Sequence, residues 1–241
     1  MQDALEHSHT RQAIKARLAR GPHSNYLRDW IYGGIDGAVT TFAIIAGVAG
    51  ADLAASVVLI LGFANLLADG VAMAAANFSG TKAERDDYKR VLSVEQKHIA
   101  LVPEGEREEI RQIFSAKGFS GDDLERIVTG ITSDPALWAK TMAVEEYGLS
   151  PALRSPVWAA LSTLTAFILC GIVPLAAYLL AGGLMSCVVA AGATFFGVGA
   201  VKSRWSPMTW WGSGLETLLI GMSAAGVAFA VGFGLKALIS A

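Results

Sequence analysis

Apolar residues gather in five long runs, at about 31–50, 53–77, 156–181, 184–201 and 213–238, while polar residues collect ahead of the first run and between the second and third. Each run is near the roughly 20 residues a helix needs to cross about 30 Å of hydrocarbon. The pattern predicts an all-α, polytopic membrane protein with five transmembrane helices. The connectors Ala51-Asp52 and Gly182-Gly183 are short enough to fold the first and second runs, and the third and fourth, into helical hairpins. The expected division is an N-terminal segment 1–28, spans one and two in 29–78, a helical insertion 79–154, and spans three to five in 155–241.

Inside the insertion the polar pattern is helical as well. The second span is expected to continue through Lys82, Glu84, Tyr88, Val91, Leu92 and Ile99 until Pro103 stops it. A second helix starts near Glu104 and ends at Gly118; a third covers Asp122 to Thr129 with Ser120 as its cap. A fourth has Asp134 as cap, Pro135 at its first position and Gly148 as its stop. Ahead of the first span, residues 3–20 set Ala4, Leu5, Ala13, Ile14 and Leu18 among charges. They predict a short amphipathic helix, closed by Gly21-Pro22, that suits a membrane surface.

Composition agrees: 53% of the 241 residues are hydrophobic and 17% charged, against about 25% charged in soluble domains. The net charge of −2 conceals a segregation. Of the 19 lysines and arginines, all but Lys236 fall on one side of a five-span topology. The positive-inside rule makes that side the cytoplasm, so the N-terminus and the insertion are expected to be cytosolic and the C-terminus outside. The first thirty residues, with His7, His9, Arg11, Lys15, Arg17, Arg20 and Arg28, lack an apolar core of the kind a cleavable signal peptide has, so the first span is expected to act as the targeting signal. The two histidines read as solvated. A bacterial inner membrane is the expected location, with a vacuolar membrane as the alternative. Cys170 and Cys187 lie in apolar runs without Cys-x-x-Cys spacing and read as small packing residues. No basic stripe suggests a nucleic-acid partner.

Two acids, Asp36 and Asp69, interrupt the first and second runs. A carboxylate in a span costs at least about 2.5 kcal/mol on insertion scales, so such residues face a bundle interior or wet cavity and bind, pair or shuttle something. Both are expected roughly 8 to 12 Å below the cytoplasmic surface, with Glu216 shallower on the same side, and no span offers a base except near its ends. Asn65, Asp69 and Met73 recur every four residues and share a stripe, as do Asp36 and Thr40. Carboxylate plus thioether suits Fe²⁺ or a neighbouring transition ion better than Mg²⁺ or Ca²⁺. In the insertion, Glu95/His98 and Glu106/Glu109 are spaced i, i+3 and Met142/Glu146 i, i+4, so three helices each offer a pair on one face. Glu-x-x-His with a facing Glu pair is the vocabulary of carboxylate-bridged iron sites in helical bundles. One Glu within Glu104-Gly105-Glu106-Arg107-Glu108-Glu109 is commonly just a solvated face; the weight lies in the convergence.

The motifs Asp29-x6-Asp36-Gly37-x2-Thr40-Thr41-Phe42-x4-Gly47-Val48, then Asn65-Leu66-x2-Asp69-Gly70-x2-Met73, then Trp138-x3-Met142-x3-Glu146-Tyr147-Gly148-Leu149, occur in the order in which the chain resembles the vacuolar iron transporter family. The resemblance implies a homodimer of five-helix subunits that exchanges cytosolic Fe²⁺, with Mn²⁺ as a further ion, for protons. It implies that Asp36 and Met73 are translocation ligands, that Asp29 stands at the cytoplasmic mouth, and that Glu95, Glu106, Glu109, Met142 and Glu146 bind metal in the cytosolic domain. His98 stands where the family pattern has Glu, and Ala143 where a second Met is common; the imidazole suits Fe²⁺ or Zn²⁺. The expectation is a transporter, not an enzyme, with no prosthetic group. Two rivals are a membrane-anchored di-iron oxidase, which needs a second Glu-x-x-His, and a metal sensor or scaffold, which leaves Asp36 and Asp69 unexplained.

Overall fold

The computed structural model describes residues 8–21 and 24–239 and, among these, is all-helical with no strand. The helices are α1 (Arg11–Arg20), α2 (Leu27–Gly50), α3 (Ala55–Leu101), α4 (Pro103–Ala116), α5 (Gly121–Thr132), α6 (Pro135–Glu145), α7 (Pro156–Ala181), α8 (Gly183–Lys202) and α9 (Trp210–Ile239), with a 3₁₀ turn at Ser203–Trp205. Five of them, α2, α3, α7, α8 and α9, are long and apolar enough to cross a membrane.

Differences from the expected boundaries have local causes. α2 begins at Leu27 because Arg28 and Asp29, too polar for the apolar run, still form its first turn, where an acid is favoured by the helix dipole. Asp52 takes a left-handed φ of 57°, and the Leu53 amide donates to the Val48 carbonyl at 3.1 Å, which delays α3 to Ala55. Only Gly182 separates α7 from α8. Ser120 sits at the N-cap of α5 without a side-chain hydrogen bond, whereas Asp134 caps α6 by accepting from the Ala136 amide at 2.9 Å. Residues 3–7 of the expected amphipathic helix, with His7, and its Pro22 stop lie outside the described residues. Within α1, Ala13 and Ile14 are half-buried but Leu18 is exposed, so the apolar residues do not form one continuous face.

The chain divides into two compact units, one of residues 25–80 and 155–241, the other of residues 1–24 and 81–154. In the first unit α2 is central and packs on α7, α8 and α9. Its core includes Phe42, Ile45, Leu175 and Phe195, with Cys170 and Cys187 buried among them. α2 and α7 approach closely at two glycines: a Cβ on Gly33 would lie 2.2 Å from the Thr163 carbonyl oxygen, and one on Gly37 2.2 Å from that of Phe167. α3 sets Gly62 against Leu175 and Gly70 against Phe167. In the second unit, Ile110, Leu124, Val128, Trp138 and Met142 make one small core, and Tyr88, Val91 and Ala143 a second.

Candidate metal-binding sites

In the helical bundle, the buried stripe of α3 is Gly62, Leu66, Gly70 and Ala74, and Asn65, Asp69, Met73 and Asn77 run beside it, all half-buried. Asp36 of α2 is half-buried too, and its carboxylate lies close enough to that of Asp69 for the two charges to interact. The two intramembrane acids that the sequence put on separate helices thus lie within electrostatic range of each other. The Thr40 hydroxyl donates to the Asp36 backbone carbonyl at 2.9 Å, a bond within α2 that leaves the Asp36 carboxylate untouched. Thr41 Oγ1 and Asn65 Nδ2 are buried without a hydrogen-bond partner.

Asp29 is only 1% exposed. Its Oδ1 accepts from Asn77 Nδ2 at 3.0 Å, and the same amide nitrogen lies 2.6 Å from Thr163 Oγ1 and 3.3 Å from the Ala159 carbonyl. Asp29, in the first turn of α2, therefore ties that end of α2 to α3 and α7. Sequence reasoning missed Asn77, although it extends the 65-69-73 stripe by one more helical turn. Glu216 also has a partner: Lys202 at the end of α8 lies 2.8 Å from its Oε2, so it is not a free acid.

In the insertion, Glu95 and Glu106 are 1% and 5% exposed, and His98, Glu109 and Glu146 around them are exposed. His98 Nδ1 is 3.3 Å from Glu106 Oε1. Burial, then the charges of Glu109 and Glu95, push the Glu106 carboxyl up to about 7, with His98 opposing. Glu146, which caps the C-terminus of α6 rather than lying inside it, is raised by partial burial and by Glu95 and Glu109. Five of the predicted side chains thus share one electrostatic field. Glu95 Oε2 and Glu106 Oε2 are buried acceptors facing no donor, an arrangement that only a proton or a cation relieves. Among the described residues no three His, Cys, Asp or Glu side chains stand together in ion-binding geometry, so the acids form a shared field rather than a closed cage.

Met142 is fully buried, packed with Ile110, Leu124, Val128 and Trp138, so its thioether is part of the core. Ala143 is buried in the other cluster. Tyr147 is the neighbour the sequence did not assign: its hydroxyl donates to Glu95 Oε1 at 3.1 Å. Partial burial and that bond push the phenol up to about 12, so it remains a donor at any working pH.

The sequence profile of the VIT family matches residues 27–233. Similar proteins include vacuolar iron transporter 1 of Arabidopsis thaliana, 32% identical over 208 residues, which cover 84% of this chain and 83% of that one. The vacuolar iron transporter of Toxoplasma gondii is 33% identical over 233 residues, covering 90% and 77%. That of Plasmodium falciparum is 28% identical over 235 residues, covering 89% and 84%.

Proposed function

The chain belongs to the VIT family, whose relatives named above are transporters rather than enzymes, and from that premise we propose that it moves divalent iron, with Mn²⁺ as a second cargo, out of the cytosol in exchange for protons. The observation that carries this is that Asp36 and Asp69, on two helices of the bundle, lie within electrostatic range of each other. Two carboxylates that feel each other's charge attract a divalent cation more strongly than either alone. Protonation weakens that attraction, so a group that releases metal on taking up a proton, and the proton on taking up metal, couples the two flows without a separate device. Met73, one turn from Asp69, supplies the soft ligand that favours a transition ion over Mg²⁺ or Ca²⁺. Asp29 holds Asn77 and so fixes the end of the α3 stripe that bears these ligands.

The insertion captures the ion from the cytosol and raises its local concentration. Glu95 and Glu106 offer the two donorless oxygens, His98 an imidazole and Glu109 and Glu146 the surrounding negative charge. The positive-inside distribution supports a cytosolic N-terminus and insertion, in a bacterial inner membrane by the reading of the sequence. A homodimer is supported by exposure: Asp36, Asp69 and Met73 are half-exposed in the single chain, and a second copy over that face removes the cost of carboxylates against hydrocarbon.

The test is metal flux into sealed proteoliposomes under a pH gradient, for the wild type and Asp36→Ala. Fe²⁺ flux that follows the gradient and is abolished by Asp36→Ala, while the insertion still binds metal, supports the antiporter. A wild type that binds Fe²⁺ but moves none under either gradient sinks it and favours a sensor or scaffold.

A further inference from the structure

After α6 the chain reverses at Gly148, whose φ of 65° is left-handed, a conformation glycine takes without strain. The Leu149 amide donates to the Ala143 carbonyl at 3.0 Å, a bond that turns the chain back over the end of α6. Leu149 packs on the cluster of Tyr88, Val91 and Ala143. Tyr88, Val91 and Glu95 are three and four residues apart and share one face of α3. A chain segment anchored on the first two therefore delivers its next side chain to the third. That side chain is Tyr147, with its hydroxyl 3.1 Å from Glu95 Oε1, while Glu95 Oε2 stays buried and without a partner.

We propose that Tyr147 is a positioning residue for the capture site: by holding one oxygen of Glu95 it fixes the carboxylate plane and presents the other oxygen to the incoming ion. The inference rests on the reading of the insertion as a metal-capture domain. The physical need is specific. The terminal torsion of a glutamate is soft and roughly two-fold, so a carboxylate held by no donor has no fixed plane in which to meet an ion. The phenol removes this freedom. It sits outside the shell of ligands, in the place where second partners commonly change metal affinity 10–100-fold. Phenylalanine keeps the ring and deletes only the bond.

The experiment uses the full chain in detergent, with Asp36→Ala and Met73→Ala as the parent so that binding at the bundle is silenced, and follows anaerobic Fe²⁺ titration. Glu95→Gln on that parent serves as the control that removes the ligand. The expected result is that Tyr147→Phe raises the Kd about tenfold with the same number of ions bound and the same metal-free melting temperature. In proteoliposomes with Asp36 and Met73 intact, Tyr147→Phe raises the KM for Fe²⁺ and leaves the maximal rate in place. A Kd within twofold of the parent overturns the proposal, and so does a melting temperature that falls along with affinity, because the hydroxyl then serves packing alone. A parent that binds no Fe²⁺, indistinguishable from Glu95→Gln, overturns the capture reading itself.

Discussion

Glu106 is buried beside two other carboxyl groups, and this gives the insertion a pH dependence of definite sign. Its carboxyl titrates near 7 in the folded chain and near 4.5 unfolded, so the folded state holds the proton more tightly. The stability that this proton contributes is present below about 4.5 and is lost as pH rises through 7. On the proposed capture role, metal has to displace the same proton. Fe²⁺ affinity of the insertion is therefore expected to weaken by up to about tenfold per pH unit below 7, read by titration between pH 6 and 8. Glu106→Gln is expected to abolish capture and, at pH 8, to stabilise the metal-free protein by on the order of 2 kcal/mol, seen as a higher melting temperature. At this scale the sequence was partly legible. Helical spacing alone fixes which side chains share a face, so Glu95, His98, Glu106 and Glu109 were legible. Burial and hydrogen-bond donors depend on what packs opposite, so neither the internal tie of Asp29 to Asn77 nor the bond from Tyr147 was visible. Met142 shows the reverse case: its i, i+4 relation to Glu146 is real, but the packing of α4 and α5 takes the thioether into the core.

Between elements, close approach is set by glycine. Gly33 and Gly37 are one turn apart on α2, and both face carbonyl oxygens of α7 at distances no Cβ tolerates. Without a hydrophobic driving force between helices in lipid, such backbone contact is what association depends on. Gly37→Ala is expected to force α2 and α7 apart and to cost at least about 2 kcal/mol, read as a lower melting temperature in detergent and lost Fe²⁺ flux. Gly80 lies inside α3 with open space where its Cβ would be. Gly80→Ala is expected to be neutral or stabilising by up to about 1 kcal/mol, from helix propensity alone. A fall in stability for both variants of similar size would show that the α2–α7 seam is not special. The spans themselves were legible because twenty apolar residues permit few alternatives, and α7 at Pro156–Ala181 coincides with the expected run. Their ends were not, since charged first turns such as Arg28-Asp29 and the left-handed turn at Asp52 carry no apolar signal.

For the whole molecule, the decisive property is where polar groups meet the lateral surface. Leu67, Val71, Leu219 and Phe233 are exposed on the bundle, as lipid-facing residues are. The stripe of Asp69 and Met73, with Asp36 beside it, is half-exposed on the same unit. A charge facing hydrocarbon costs at least about 2.5 kcal/mol, so this face needs a polar cover, and in the proposed homodimer a second copy of the same face would provide one with closed two-fold symmetry. Ala68, Ala72 and Ala76 are exposed on α3 on either side of Asp69 and Met73, within a turn of the stripe. Cysteines at these positions, in a chain whose buried Cys170 and Cys187 are replaced by alanine, are expected to give a disulfide-linked dimer in membranes for at least one site. The geometry is demanding, because the two Cα atoms must come within about 7 Å. A cysteine at Leu219, exposed on α9, is expected to stay monomeric. Cross-linking from α9 and none from α3 would put the partner on another face. Asp36 and Asp69 would then have to be shielded within one chain, and the ion would have to pass through a single bundle rather than between two.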